Sequence, residues 1–392
     1  MSRVLIASCG LLFLTIPGNA ADPKPLWEID AGGGEKASAP AWISYSPDGR
    51  SVVAVVAKQL SMDPQEFSYK LRVWDAATQK ERFAAVDLGR GKTPAWGDDL
   101  ASFPSDNTVL TGGHTLVVRN LETGSHVSSR PTGGNADHTV WAVPDLRETF
   151  HLRREPDRDG KPVELFYSST NTNGHIDEFG GGFRGGRGFR NGGDQYGTRQ
   201  TEVRPPRTGM RPQGLTLNPG RTRLVAAFRD DASVLGKPRH SLAMYRIKTV
   251  EEFDLDLVAE ATNPHASPIS ALAFAKDGKT LATGGEDGSV CLWDMVSAGD
   301  SWKPRATITG AYHRVVAMSF RPDWRIVAVI TWDKSKPNLL LIDADTGTLV
   351  RAMKLDRELT AVAWSQNGRT LLTGHGSGKV QAWDADALLK GE

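Results

Sequence analysis

Arginine and phenylalanine alternate in one glycine-rich stretch, and their chemistry suits contact with a charged polymer. The stretch is GGGFRGGRGFRNGG, residues 180–193, in which Arg184, Arg187, Arg190, Phe183 and Phe189 are spaced among glycines. Guanidinium groups can pair with phosphates, and aromatic rings can stack on bases. Residues 171–211 cannot bury enough apolar surface to fold alone. We predict a flexible insertion there, which is either plainly solvated or in contact with a polyanion.

Patterns of catalytic or metal-binding residues are otherwise sparse. The sequence has no nucleophile elbow, phosphate-binding glycine loop or haem-attachment motif, and no two histidines have metal-ligand spacing. Residues 157–160, DRDG, resemble the start of a calcium loop, but the later ligands are missing and a hairpin turn explains all four residues. We therefore expect no enzymatic activity, no cofactor and no bound metal.

Short strands joined by tight turns must position the remaining polar residues. In residues 265–294, HASPISALAFAKDGKTLATGGEDGSVCLWD, the alternation of Ile269, Ala271 and Ala273 predicts one strand. TLATGG predicts a second strand and SVCLWD a third, with turns at KDGK and EDG. Because three such strands cannot bury both of their faces alone, the segment predicts one unit of a larger repeat.

The unit recurs along the chain. Its predicted third strands end at or near Asp75, Asn120, Tyr167, Arg246, Asp294, Asp343 and Asp384. These ends lie 41 to 49 residues apart, except for one interval of about 79 residues that contains the glycine-arginine stretch. Self-similarity at a fixed period indicates a repeat architecture. We therefore predict seven units that fill residues 22–392.

The pattern resembles WD40 repeats, most specifically in units one, five and seven. In unit five, His265, Thr283, Asp287 and Trp293 fall where that family places a hydrogen-bond network. A buried indole and a buried imidazole need polar partners, which such a network supplies. The resemblance therefore implies that these four residues are structural.

Units six and seven depart from the family pattern. Ile342 replaces the tryptophan of unit six, whereas Leu355 and Ser377 stand at the His and Asp positions of unit seven. The resemblance then implies that these units are held by apolar packing alone.

The resemblance implies an all-β fold, a seven-bladed propeller of four-stranded antiparallel blades around a central channel. Unit seven ends soon after Trp383, which leaves too little chain for a fourth strand. PLWEIDAG, residues 25–32, can supply it, so we predict that this N-terminal strand pairs with the strand carrying Trp383 and completes the last blade. Whether RQTEVRPP, residues 199–206, forms the fourth strand of unit three is left open by the sequence.

In WD40 propellers the second-to-third connections and the links between blades share one face, here called the upper face. Four units have enlarged second-to-third connections, and loops on a rigid scaffold tend to hold binding groups. The candidate partner-binding residues are Trp332, Asp333, Arg229, Asp230, Asp231, Trp96 and Trp141, the last two ahead of their first strands. The alternative is that the tryptophans line the core and that the charged loops are only solvated.

Residues 1–20 have the pattern of a signal peptide, with Arg3, an apolar run, and the small residues Gly18 and Ala20 before a cleavage position. We therefore predict export to the periplasm or the exterior, with no membrane anchor after cleavage. The mature chain would retain only Cys291 and form no internal disulfide. The net charge of +1 argues against nucleic acid as a partner, and we expect a monomer.

These features together predict an exported, non-enzymatic scaffold of the WD40 type that binds a protein partner through its upper-face loops. One alternative is a propeller that holds a small molecule or quinone-type cofactor in its channel, because LIDADTGTLV is similar to repeats of quinone-dependent dehydrogenases. The other is a polyanion-binding protein that uses the Gly/Arg insertion.

Overall fold

The computed structural model describes fifteen ranges of the chain. They are residues 23–62, 65–91, 101–111, 115–131, 138–142, 148–153, 164–170, 198–220, 222–230, 239–247, 255–296, 302–310, 313–332, 338–355 and 358–390. The predicted signal peptide and most of the Gly/Arg insertion lie outside these ranges.

Strand pairing groups the described strands into seven four-stranded antiparallel sheets. Sheet one contains β2 (Ser38–Tyr45), β3 (Ser51–Met62), β4 (Gln65–Asp75) and β5 (Val86–Gly91). Sheet two contains β6 (Ala101–Ser105), β7 (Thr108–Thr111), β8 (Thr115–Asn120) and β9 (His126–Pro131). Sheet three contains β10 (His138–Ala142), β11 (Glu148–Arg153), β12 (Glu164–Thr170) and β13 (Thr198–Glu202).

The second half of the chain repeats this arrangement. Sheet four contains β14 (Arg211–Leu217), β15 (Arg223–Asp230), β16 (Arg239–Ile247) and β17 (Leu255–Thr262). Sheet five contains β18 (Ile269–Phe274), β19 (Thr280–Gly285), β20 (Val290–Asp294) and β21 (Ala306–Ile308). Sheet six contains β22 (Val315–Phe320), β23 (Ile326–Thr331), β24 (Leu339–Asp343) and β25 (Leu349–Met353). Sheet seven contains β26 (Leu359–Trp364), β27 (Thr370–His375), β28 (Lys379–Asp384) and the N-terminal β1 (Trp27–Asp30), and a short helix α1 (Ala385–Lys390) follows β28.

The second strands of sheets five and six are covered on both faces. Every residue of β19 and of β23 is buried. A short apolar run bounded by turn residues is the pattern of a strand inside a sandwich of sheets, and β-branched side chains pack well there. Sheets five and six are therefore covered by neighbours on both sides.

Apolar clusters join five pairs of neighbouring sheets. One cluster contains Trp293 of sheet five together with Leu242 of sheet four, and another contains Leu292 of sheet five with Val327 of sheet six. Comparable clusters join sheets six and seven, seven and one, and one and two. Sheets three and four are in contact through β12 and β14. The core is thus distributed between sheets rather than concentrated at one centre.

The N-terminal strand pairs with the last strand of the chain, as predicted. β1 is antiparallel to β28, with Trp27 opposite Ala382 and Asp30 opposite Lys379. The backbone N of Leu26 donates to the Ala382 carbonyl at 2.7 Å, just beyond the pair. Ile29 is buried in the cluster between sheets seven and one. This segment therefore supplies the outer strand of sheet seven.

The third strands end at or within a few residues of the predicted positions in all seven sheets. Two expectations need correction. The predicted insertion over 171–211 extends too far, because β13 lies inside it and pairs with β12. The connection left after this correction, residues 171–197, joins the third and fourth strands of sheet three. Trp141 lies within the first strand β10, not ahead of it.

Candidate interaction surface and its supporting network

A buried chain of hydrogen bonds crosses sheet five. The indole Nε1 of Trp293 donates to Thr283 Oγ1 at 3.0 Å, and Thr283 Oγ1 lies 2.7 Å from His265 Nε2. The other imidazole nitrogen, Nδ1, lies 2.6 Å from Ser289 Oγ, and that hydroxyl donates to Asp287 Oδ1 at 2.6 Å. The four predicted residues therefore lie together, with Ser289 inserted between the imidazole and the carboxylate.

The donors of this network all point the same way. The Ser289 hydroxyl donates to Asp287, so it accepts from the Nδ1–H of the neutral imidazole. His265 Nε2 then carries no proton and accepts from the Thr283 hydroxyl, which in turn accepts from the Trp293 N–H. Burial lowers the pKa of His265 to about 4, although the nearby Asp287 carboxylate opposes this shift. The Asp287 carboxylate also accepts from the backbone N of Ala266 at 2.6 Å. The network is therefore uncharged at the imidazole and fixes the chain entering β18.

Sheet seven contains a variant of the same network, so the expectation of apolar packing alone is wrong there. Trp383 Nε1 donates to Thr373 Oγ1 at 2.8 Å, and the same hydroxyl lies 2.9 Å from Nε2 of His375. His375 is the last residue of β27, where sheet five has Gly285. A Cβ at Gly285 would lie 2.8 Å from His265 Nδ1. The imidazole thus reaches the threonine from a different backbone position, while Leu355 occupies the usual histidine site.

Sheet six also has a polar connection, in addition to the apolar packing around Ile342. The side-chain amide of Asn338 bonds both backbone groups of Leu355, with Nδ2 donating to the carbonyl at 3.1 Å and Oδ1 accepting from the N–H at 2.8 Å. Asn338 is buried. A buried amide with two backbone partners fixes the connection from sheet six to sheet seven. The expectation of apolar packing alone is therefore wrong for unit six as well.

Four residues from three neighbouring sheets meet on the upper face. Glu286 follows β19, Arg314 precedes β22, Trp332 follows β23 and Glu358 precedes β26. Trp332 Nε1 donates to Glu358 Oε1 at 2.6 Å, and its backbone N donates to the Arg314 carbonyl at 2.9 Å. Arg314 Nη1 lies 3.6 Å from Glu286 Oε1. We call these four residues the upper patch.

The Trp332 side chain lies at the surface, not in the core. The residue is 50% exposed, and its N–H edge is paired with Glu358. Arg314 and Glu286 are also substantially exposed, at 45% and 39% of their side chains. Aromatic residues and arginine are enriched at protein interfaces, whose rims are polar. The core interpretation of Trp332 is therefore excluded.

Two segments of the chain match a known family model. The model is described as "WD domain, G-beta repeat", and it matches residues 259–294 and 349–384. Those two segments are WD40 repeats. The matched segments are the two that contain the Trp–Thr–His networks of sheets five and seven.

Known proteins resemble this chain in sequence and in fold. Small ribosomal subunit protein RACK1y from Oryza sativa subsp. japonica is 30% identical over 124 residues, which cover 30% of this chain and 35% of that protein. The crystal structure of the Cps50 (Swd1) β-propeller domain from Myceliophteria thermophila has a TM-score of 0.58 and 12% identity. That likeness covers 88% of this chain and 96% of the domain. At this identity the comparison shows the fold alone, which is an all-β propeller of the WD40 kind.

The other predicted binding residues of this chain are dispersed or lie outside the described residues. Arg229 and Asp230 are the last residues of β15 and are partly buried, opposite His240 and Arg239 of β16. They are therefore strand residues, not loop residues. Outside the described ranges are Asp231, Asp333, Trp96, the side chain of Trp141, residues 157–160, and Arg184, Arg187 and Arg190.

The sequence patterns did not indicate several residues of the buried networks and of the upper patch. Ser289 and His375 join the buried networks, and Glu358 and Arg314 complete the upper patch. The buried pair His375 and Thr373 could have been suspected from the period-two spacing of TGH, which puts both side chains on one face of the strand. Glu358 and Arg314 carry no local signal, because their role depends on contacts between sheets.

The described ranges contain neither a membrane-spanning helix nor a metal-binding cluster. No helix there has the length and apolar character needed to cross a bilayer. Within the same ranges, no group of three or more His, Cys, Asp or Glu side chains is placed to hold a metal ion.

Proposed function

We propose that this chain is an exported, non-enzymatic WD40 scaffold that binds a protein partner through its upper face. The observation that carries this proposal is the half-exposed indole of Trp332, which lies within a frame of charged residues from three sheets. WD40 propellers offer rigid faces rather than a deep reaction chamber, and the sequence contains no catalytic motif.

The proposal includes a closed ring of seven blades. Seven four-stranded sheets and the pairing of β1 with β28 support it, since this pairing joins the two ends of the chain inside one sheet. Apolar clusters or strand contacts connect the sheets from three through four, five, six, seven and one to two. Contact between sheets two and three would complete the ring.

Trp332 has the physical properties of an interface anchor. Its indole is held through one hydrogen bond to Glu358, so little conformational entropy remains to be lost when a partner covers it. Tryptophan and arginine are enriched among the residues that dominate binding energy. The opposite charges of Arg314 and Glu286 beside it would set the orientation of a partner, because mismatched charges are costly to bury.

A photo-crosslinking experiment tests the upper-face proposal. A photoreactive amino acid at Arg314 should capture one reproducible protein, whereas the same amino acid at Leu257, exposed on β17, should not. With that protein purified, Trp332→Ala should weaken binding by about tenfold or more. The matched variant Leu257→Ala should leave the affinity within about twofold. Equal capture at both positions, or an unchanged affinity of Trp332→Ala, would contradict the proposal.

Export and a monomeric state are also part of the proposal, and the sequence of residues 1–20 supports the first. N-terminal sequencing of the protein from its native cell should begin at Ala21, because the small residues Gly18 and Ala20 precede that position. A chain that retains Met1 in the cytoplasm would refute export. Sedimentation of the mature chain should give the mass of a single chain.

A further inference from the structure

One first-to-second turn holds a tryptophan in a backbone conformation that favours glycine. These turns lie on the face opposite the upper face, here called the lower face. The first-to-second turns of sheets one, five and seven contain Gly49, Gly278 and Gly368, with φ of 73°, 66° and 68°. Sheet six has Trp324 at the same position, in PDWR where sheet one has PDGR, and its φ is 56°. A bulky residue with positive φ is an outlier, since its Cβ crowds the backbone. Glycine would relieve that strain.

Packing within the protein does not account for this tryptophan. The residue is 45% exposed. Within the part of the chain that the structure describes, its backbone N donates to the Arg321 carbonyl at 2.8 Å, and its indole has no hydrogen-bond or ring partner. A strained and exposed residue whose indole has no polar or ring partner among the described residues points to a contact outside the fold.

The first-to-second turns lie together on this face. A Cβ at Gly278 would be 3.5 Å from Pro219 of the sheet-four turn, and a Cβ at Gly368 would be 3.1 Å from Nε of Arg321. Lys276 of the sheet-five turn donates to the side chain of Gln366 in the sheet-seven turn. Trp324 therefore belongs to one continuous surface and not to an isolated loop.

That surface is basic. Exposed cationic side chains lie on the Trp324 turn and on the first-to-second turns of sheets five and seven, and they are Lys276, Lys279, Arg325 and Arg369. The acidic residues of these turns accept hydrogen bonds from backbone N–H groups of the same turn. Asp277 accepts from the N–H of Lys279 at 2.8 Å, and Asp323 accepts from the N–H of Arg325 at 3.3 Å. We call the four cations and Trp324 the lower turn surface.

We propose that the lower turn surface binds an acidic peptide segment of a protein partner, with an apolar side chain of that segment against the Trp324 indole. Charge complementarity selects the acidic class. A peptide fits better than a nucleic acid because the carboxylates of Asp277 and Asp323 interrupt the cations. A peptide can place uncharged residues beside these carboxylates, whereas the continuous phosphate backbone of a nucleic acid would run across both. This surface is separate from the upper patch and does not depend on it.

The test uses the full chain and a labelled peptide in which Glu alternates with Leu. The peptide should bind, and Trp324→Gly should weaken binding by about tenfold while raising the melting temperature. The matched variant Trp332→Ala, on the opposite face, should leave peptide affinity unchanged. Arg325→Glu combined with Arg369→Glu should abolish binding, because the reversed charges repel the peptide.

Three results would overturn the proposal. The first is no binding of the peptide, or binding that Trp324→Gly does not weaken. The second is a lower melting temperature for Trp324→Gly, which would assign the tryptophan a packing role. Gly49→Trp is the control for this second result, because a Cβ at Gly49 meets nothing within 4 Å and the substitution therefore adds backbone strain without a packing contact of that Cβ. Gly49→Trp should lower the melting temperature. The third is displacement of the peptide by single-stranded RNA of the same net charge at lower concentration.

Discussion

At the scale of single residues, the protein keeps a histidine neutral by burying it. The His265 side chain is fully buried, with a hydroxyl at each ring nitrogen. Asp287 lies 3.8 Å from its Nδ1 but does not bond it directly, since Ser289 lies between them. Burial disfavours the charged imidazolium more strongly than the carboxylate favours it, which is why the pKa of His265 falls to about 4.

His265 should make stability depend on pH in a defined window. The unfolded imidazole takes up a proton near pH 6.5, whereas the folded one does so only near pH 4, so the unfolded state binds more protons between these values. The free energy of unfolding should therefore fall by about 3 kcal/mol as the pH drops from 6.5 to 4, and this residue should have no effect above that range. Denaturant titrations at several pH values measure it.

The controls for this prediction are two histidine variants. His265→Gln should lower stability at neutral pH but flatten the slope between pH 6.5 and 4. His126→Gln, at an exposed position of β9, should leave the slope as it is. Identical slopes for His265→Gln and the parent chain would show that another group titrates in this window.

At the scale of elements, two sheets use the same threonine position and a third does not. Thr283 of β19 and Thr373 of β27 each accept from a tryptophan and contact a histidine, whereas β23 has the buried Val329 at the equivalent position. The difference follows the third strand, which has Trp293 in sheet five, Trp383 in sheet seven and Ile342 in sheet six. The second strand has a threonine hydroxyl in the two sheets whose third strand has a tryptophan, because the buried indole N–H needs a hydrogen-bond acceptor.

Exchanging hydroxyl and methyl groups at these positions should be destabilising in both directions. Thr283→Val and Thr373→Val each remove the hydroxyl that a buried indole N–H and an imidazole nitrogen contact, so each should reduce the free energy of unfolding by about 2 kcal/mol. Val329→Thr should cost a similar amount, roughly 1–3 kcal/mol, because it buries a hydroxyl among apolar groups. Urea denaturation measures all three, and a neutral Thr373→Val would mean that the sheet-seven network contributes nothing.

At the scale of the whole molecule, the two ends of the chain share one sheet. Glu28 of β1 binds Lys379 and accepts from Gln381 Nε2 at 2.7 Å, and the backbone N of Gly32 donates to the Gly378 carbonyl at 2.7 Å. The pairing of Lys379 contributes most to lowering the pKa of Glu28 below its usual range. Ile29 adds apolar burial between sheets seven and one. Sheet seven is therefore complete only when residues far apart in sequence meet.

Deletion of residues 22–34 should destabilise the whole molecule. It removes β1, exposes the edge of β28 and uncovers part of the cluster around Ile29, so the melting temperature should fall by roughly 10 °C. A synthetic peptide of residues 22–34 added in excess should restore part of that loss by mass action. Calorimetry measures both effects. An unchanged melting curve after the deletion would contradict the role of β1 in holding the ends together.

Local patterns in the sequence determined the repeat, its period and the ends of the third strands, because alternation and turn residues act over a few positions. The unit-five network followed from the resemblance to WD40 repeats, which implies that His265, Thr283 and Trp293 stand at that family's network positions. Only the tertiary structure decided that β13 follows the Gly/Arg segment and that His375 replaces the missing histidine of sheet seven. The grouping of Trp332 with Arg314 and Glu358 was likewise decided there. Each of these depends on contacts between distant parts of the chain, which no local pattern encodes.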